Sequence, residues 1–135
     1  MKKLYSATLI PGLVHFSLLI IRISTGLLIL PHGLIKLMHF HTISWQFADP
    51  LNIGPEISLL LVIIAEVICP VFLIIGLFTR LAVLPLLIEM LVILIKIYHY
   101  SPILNRELDW HYLTAFLVIL CCGPGKFSAD GWLSR

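Results

Sequence analysis

Arg22, His32 and Lys36 stand inside the first long apolar stretch of the chain, RISTGLLILPHGLIKL from residue 22 to 37. A charged side chain in hydrocarbon costs a few kcal/mol on insertion scales, so such groups persist where they pair inside a bundle or line a polar cavity. At 100° per residue, Arg22, Gly26, Ile29, Gly33 and Lys36 share one helix face, with His32 beside it. The two glycines would let a neighbouring helix approach that face closely. Glu66 and Glu89 lie near the middle of two later apolar stretches. Counted from the ends of those stretches, Arg22, Glu66 and Glu89 fall at one depth. They are expected to form a paired network, its excess charge removed by a proton on one glutamate or by Lys36 or Lys96. Burial favours a neutral carboxyl and a nearby cation favours an ionised one, so the two glutamates should differ in protonation. Two readings follow: an ion-pair staple that orients helices, or a proton or quinone site.

A second polar group gathers at the opposite end from the N-terminus: His32, Lys36, Lys96, His99, Glu107, Asp109 and His111. Imidazoles beside carboxylates can relay protons or hydrogen-bond a carbonyl, and they can also hold zinc or copper. His39-x-His41 and Asp109-x-His111 are the closest ligand-like spacings, but neither is specific and no metal site is assigned. A solvated rim at the headgroup level accounts for His39, His41 and Glu107. His32 and His111, beside helix entrances, are kept as candidates with Lys36; Lys96, His99 and Asp109 are secondary. Cys69, Cys121 and Cys122 form no C-x-x-C pair and read as small buried hydrophobes.

The elements that must position these groups are membrane spans. The chain has 135 residues, 60% hydrophobic and 12% charged, where a soluble domain is about 45–50% apolar and about 25% charged. This composition predicts one all-α integral membrane domain, a four-helix bundle of antiparallel spans near 13–36, 57–79, 81–98 and 108–122, with 123–135 as an interfacial tail. The Lys2-Lys3 start resembles a signal peptide, but the long apolar run after it and its embedded charges predict a retained first span. Pro31 is expected to kink that span. Met38 to Glu56 reads as an interfacial loop with a short surface or re-entrant helix. Glu89 and Lys96, seven residues apart, should share a face. Lys2, Lys3, Arg80, Lys126 and Arg135 cluster at one side, so both termini should be cytoplasmic. A net charge of +2 with scattered basic residues argues against nucleic acid as a partner.

His32-Gly33-x-x-Lys36-Leu37, Glu66, Gly76-Leu-Phe-Thr-Arg80 and Gly123-Pro-Gly-Lys-Phe-Ser-Ala-Asp130 occur in that order. Together these motifs resemble the DoxX family, over nearly the whole chain except the 38–56 loop. The resemblance implies a small four-helix protein of the bacterial inner (plasma) membrane. Some relatives belong to a thiosulfate:quinone oxidoreductase, and others are linked to membrane oxidoreductase complexes or to gene sets for modified copper-binding peptides. The leading expectation is therefore a membrane redox component that binds a quinone or other small lipophilic ligand. Arg22 and Glu66 would hold the polar core, and His32, Lys36 and His111 would meet the ligand. Alternatives are a non-catalytic subunit that anchors a partner oxidoreductase, or a small transporter or metal-handling protein. A homo-oligomer fits any of these, because the apolar span surfaces suit lipid or a second copy.

Overall fold

The computed structural model describes residues 9–97 and 106–134, and every regular element among them is helical. Helix α1 runs Pro11–Met38, α2 Phe40–Ile43, α3 Pro55–Ile75, α4 Thr79–Val92, α5 Glu107–Cys122 and α6 Ala129–Leu133. Prolines open α1 and α3, where a missing N–H costs nothing because the first turn has no intrahelical acceptor for it. Pro31 and Pro85 are carried inside α1 and α4.

Two five-residue π-helical turns interrupt the regular pitch. One, Ile64–Ile68, lies within α3, and the other, Ile93–Ile97, continues α4. Pro70 accounts for the first: it has no N–H to offer the carbonyl four residues back, that of Glu66, and its ring pushes against that carbonyl. The widened turn puts Glu66 at its centre. The second corrects an expectation. Seven residues span two turns of an α-helix but fewer of a π-helix, so Glu89 and Lys96 do not share a face: Glu89 is buried and Lys96 is exposed.

Helix α1 packs on α3 and α5, and α4 packs on α3 and α5. Gly26 lies against Pro70 and Ile74, and Gly33 lies against Glu66, so numbers rise along α1 as they fall along α3. A Cβ on Gly33 would stand 2.7 Å from the backbone carbon of Glu66. Between the helices lies one apolar core that includes Ile29, Leu73, Leu86, Phe116 and Ile119. Leu27, Leu28, Ile35, Leu81, Ile88 and Ile95 point outward instead. An apolar exterior of that extent suits lipid rather than water. Pro11–Met38 and Pro55–Ile75 are each long and apolar enough to cross a bilayer.

The turn after α3 is built by two residues with positive φ. Gly76, at φ 77°, ends the helix, and its N–H and that of Leu77 both bond to the Phe72 carbonyl. Phe78 follows at φ 47°, a conformation uncommon for a bulky residue, and is held there by Asp130. The expected short helix of the 38–56 interval is α2. Asp49 organises the rest of that loop by accepting hydrogen bonds from the N–H groups of Ile53 and Gly54 and from the Ser58 hydroxyl.

Candidate functional site

The polar centre of the molecule is built by Lys36 from α1, Glu66 from the π turn of α3 and Glu89 from α4. Lys36 Nζ donates to both carboxylate oxygens of Glu66, each at 2.6 Å. The Glu66 side chain is 7% exposed and that of Lys36 26%, so the pair is reached from the lysine side only. Gly33 makes the pair geometrically accessible: without a side chain there, α1 closes onto Glu66 and brings Lys36, nearly one turn further on, over the carboxylate.

Glu89 faces this pair, within electrostatic reach of Glu66, Lys36 and Asp109. Its carboxyl oxygens are buried and take no hydrogen bond from a donor among the described residues. Two facing carboxyls can bond each other only when one carries a proton. The cluster therefore holds one lysine cation against two acids, a composition that balances when a single proton is added. Cys69, a free buried thiol, lies in the field of Glu89, whereas Cys121 and Cys122 are exposed at the end of α5 and not buried as expected; Tyr112 lies near Asp109 and Glu66.

On its other side Glu89 borders a cavity of about 370 Å³ between α3 and α4. Leu61, Val62, Pro85 and Ile88 contribute to its walls, as do the loop residues Phe47 and Leu51. Ser58 and Glu89 are the polar side chains on an otherwise apolar lining. The 38–56 loop thus supplies walls to the cavity, a part that its sequence disclosed only through its clustering of Phe47 with prolines.

Arg22 is elsewhere, which corrects the expected network of Arg22 with Glu66 and Glu89. From residue 22 to residue 33, opposite Glu66, α1 rises about 16 Å. At Arg22 the neighbour is Gly76, whose added Cβ would lie 2.8 Å from the guanidinium. The guanidinium is 2% exposed and donates to the carbonyls of Pro124 and Phe127. Asp130 completes this knot, accepting from the N–H groups of Phe78 (2.8 Å) and Thr79 (2.9 Å), while its own N–H donates to the Gly76 carbonyl. Burial opposes the charge on Asp130. The hydrogen bonds from Thr79 and Phe78 and the field of Arg22 outweigh it, holding the carboxyl below its ordinary range.

The remaining candidates are dispersed. His32 and His111 are exposed on the outer faces of α1 and α5, each imidazole bonded to a carbonyl of its own helix, Leu28 and Glu107 respectively. Neither is brought to the Lys36–Glu66 pair, because each sits on a face turned from the core. Asp109 is half-buried within reach of Glu89. His99 lies outside the described residues, as do Lys2, Lys3 and Arg135 from the orientation argument. No three His, Cys, Asp or Glu side chains converge on a metal-sized site among the described residues.

A family model described as DoxX matches residues 17–99, more than half of the chain. The chain belongs to the DoxX family. It is a small membrane protein of that family, and lipid is its surroundings. The matched region holds all three members of the DoxX chain's central cluster, Lys36, Glu66 and Glu89. It stops short of the Gly123–Asp130 segment that receives Arg22. No curated protein and no solved structure matches the chain significantly.

Proposed function

We propose that this DoxX protein binds a small lipophilic ligand, foremost a quinone, in the cavity between α3 and α4, with Lys36, Glu66 and Glu89 handling its proton. The observation that carries the reading is the double position of Glu89, which borders the apolar cavity on one side and the Lys36–Glu66 pair on the other. An apolar cleft with two polar side chains, Ser58 and Glu89, in its lining fits a hydrophobic ring or tail with a hydrogen-bonding head. A bound quinone supplies a couple of two electrons and two protons. Glu89 would hold a proton against the ligand head, donating a hydrogen bond to its carbonyl. After each transfer Glu89 would regain a proton from water on the partly exposed Lys36 side, and the Lys36 cation would offset the charge left on the two carboxylates. Electrons would come from a partner oxidoreductase.

The same proposal places four antiparallel spans across the bacterial inner membrane with both termini cytoplasmic. Arg80 and Lys126 at one end of the helices support that orientation; of the three basic residues toward the other end, Lys36, Lys96 and Arg106, Lys36 is paired with Glu66.

Mass spectrometry of an organic extract from gently purified protein tests the reading. A quinone near one per chain, depleted at least tenfold in folded Glu89→Leu protein, which lacks the donor, is the expected result. No enrichment over bulk lipid in the unaltered protein would sink the ligand site and leave a non-catalytic subunit that anchors a partner enzyme.

A further inference from the structure

The end of the molecule that carries the Arg22 knot also holds an open cavity of about 880 Å³, remote from the proposed ligand site. Arg80 and Lys126 both line it and both are exposed, with no ion-pair partner for either among the described residues. His15 lines it too, its Nδ1 buried and without a hydrogen-bond partner. One carboxylate, Asp130, shares the cavity, but its oxygens are engaged by the N–H groups of Phe78 and Thr79 and its charge faces Arg22. The cavity therefore presents two uncompensated cations, with His15 in its wall. Phe78 (63% exposed) and Leu81 (65% exposed) stand at the same rim. A free anion would gain nothing from these two apolar side chains, whereas acyl chains would cover them.

We propose that this cavity binds the phosphate of an anionic phospholipid headgroup, with Arg80 and Lys126 on the phosphate, His15 as a further hydrogen-bonding group and Phe78 and Leu81 against the acyl chains. Basic pockets at the cytoplasmic ends of helices suit such headgroups, and each cation near the surface is worth about 1 kcal/mol of attraction. The lipid would bridge α1, α4 and the C-terminal segment, and so brace the knot from outside.

Native mass spectrometry of the full chain tests this, with delipidated protein titrated with phosphatidylglycerol or phosphatidylcholine. Retention of one phosphatidylglycerol that phosphatidylcholine does not replace is expected. Lys126→Gln, a change in an exposed loop, should weaken it roughly fivefold, and Arg80→Gln/Lys126→Gln roughly 25-fold. Lys126→Arg should restore it. Inorganic phosphate separates the two sources of the same chemistry: binding at millimolar phosphate with displacement of the lipid assigns the site to the phosphate group alone, and failure to displace assigns it to the lipid. Equal retention of the two lipids, or unchanged phosphatidylglycerol binding in folded Lys126→Gln and double-variant protein, would overturn the proposal.

Discussion

Lys36 and Arg22 are two cations on one face of α1, about four turns apart, and they meet opposite kinds of partner. Arg22 donates to backbone carbonyls of the C-terminal segment, groups that carry no titratable charge. Lys36 donates to a carboxylate that has a second acid beside it. The first arrangement is a fastener: a planar, permanently charged guanidinium bonds two carbonyls through its terminal nitrogens, leaving Nε without a partner among the described residues, and ties the chain end to the first helix. The second sets one lysine against two acids. A buried cation by itself says little about function. What its partners can do with a proton separates a fastener from a reactive centre.

The comparison can be broken at either end. The largest effect is expected at the knot: Arg22→Met removes the donors of the part-buried Pro124 and Phe127 carbonyls and unties the C-terminal segment from α1, and should cost roughly 3–5 kcal/mol. Thermal unfolding in detergent measures it, and a loss below 1 kcal/mol would show that the C-terminal segment is held by something else. At the centre, Lys36→Met should cost about 2–4 kcal/mol, since it strands Glu66 opposite Glu89. Adding Glu66→Gln should recover part of that loss, because the uncompensated charge goes with it. Additive losses in that double-mutant cycle would dissolve the cluster as a unit.

A smaller effect sharpens the contrast by pH. The folded carboxyl of Asp130 lies below the ordinary range near 3.9. Its contribution is thus fully present above that value and is lost as the pH falls through the lower, folded one. Asp130→Asn should be less stable than the unaltered protein by about 1 kcal/mol at neutral pH, the size of a lost helix cap. The gap should close as the pH drops below about 4. Melting curves from pH 7 downwards report this, and a gap independent of pH would detach the knot from the charge of Asp130. The smallest effect belongs to the outward histidines. His32→Ala and His111→Ala should change stability by less than about 0.5 kcal/mol and leave bound ligand unchanged in the extract. A tenfold ligand loss in either would move the site to the helix exterior.

Much of this is legible in the sequence. Long apolar runs with few charges can satisfy their backbone only as helices, and intramembrane acids must find partners, so Glu66 and Glu89 were marked by composition alone. The helix face carrying Gly26, Gly33 and Lys36 was likewise legible, and α3 is the helix that closes on it. Pairing was not. Depth counted from span ends put Arg22 level with Glu66, but the register between two helices depends on which side-chain-free positions interlock. Gly33 against Glu66 and Gly76 against Arg22 set a register that carries Lys36, not Arg22, to the acid. The π turns act in the same way, rotating Lys96 away from Glu89 by a local change of pitch that no heptad count contains.

The sequence by itself determined the solvent this protein folds in, its helical class, its family and the few residues whose burial demands compensation, because each of those follows from local chemistry and period. Only the tertiary structure decided which charges compensate which. Pairing energies depend on separations of a few ångströms between helices distant in sequence, and packing at glycines and widened turns sets those separations.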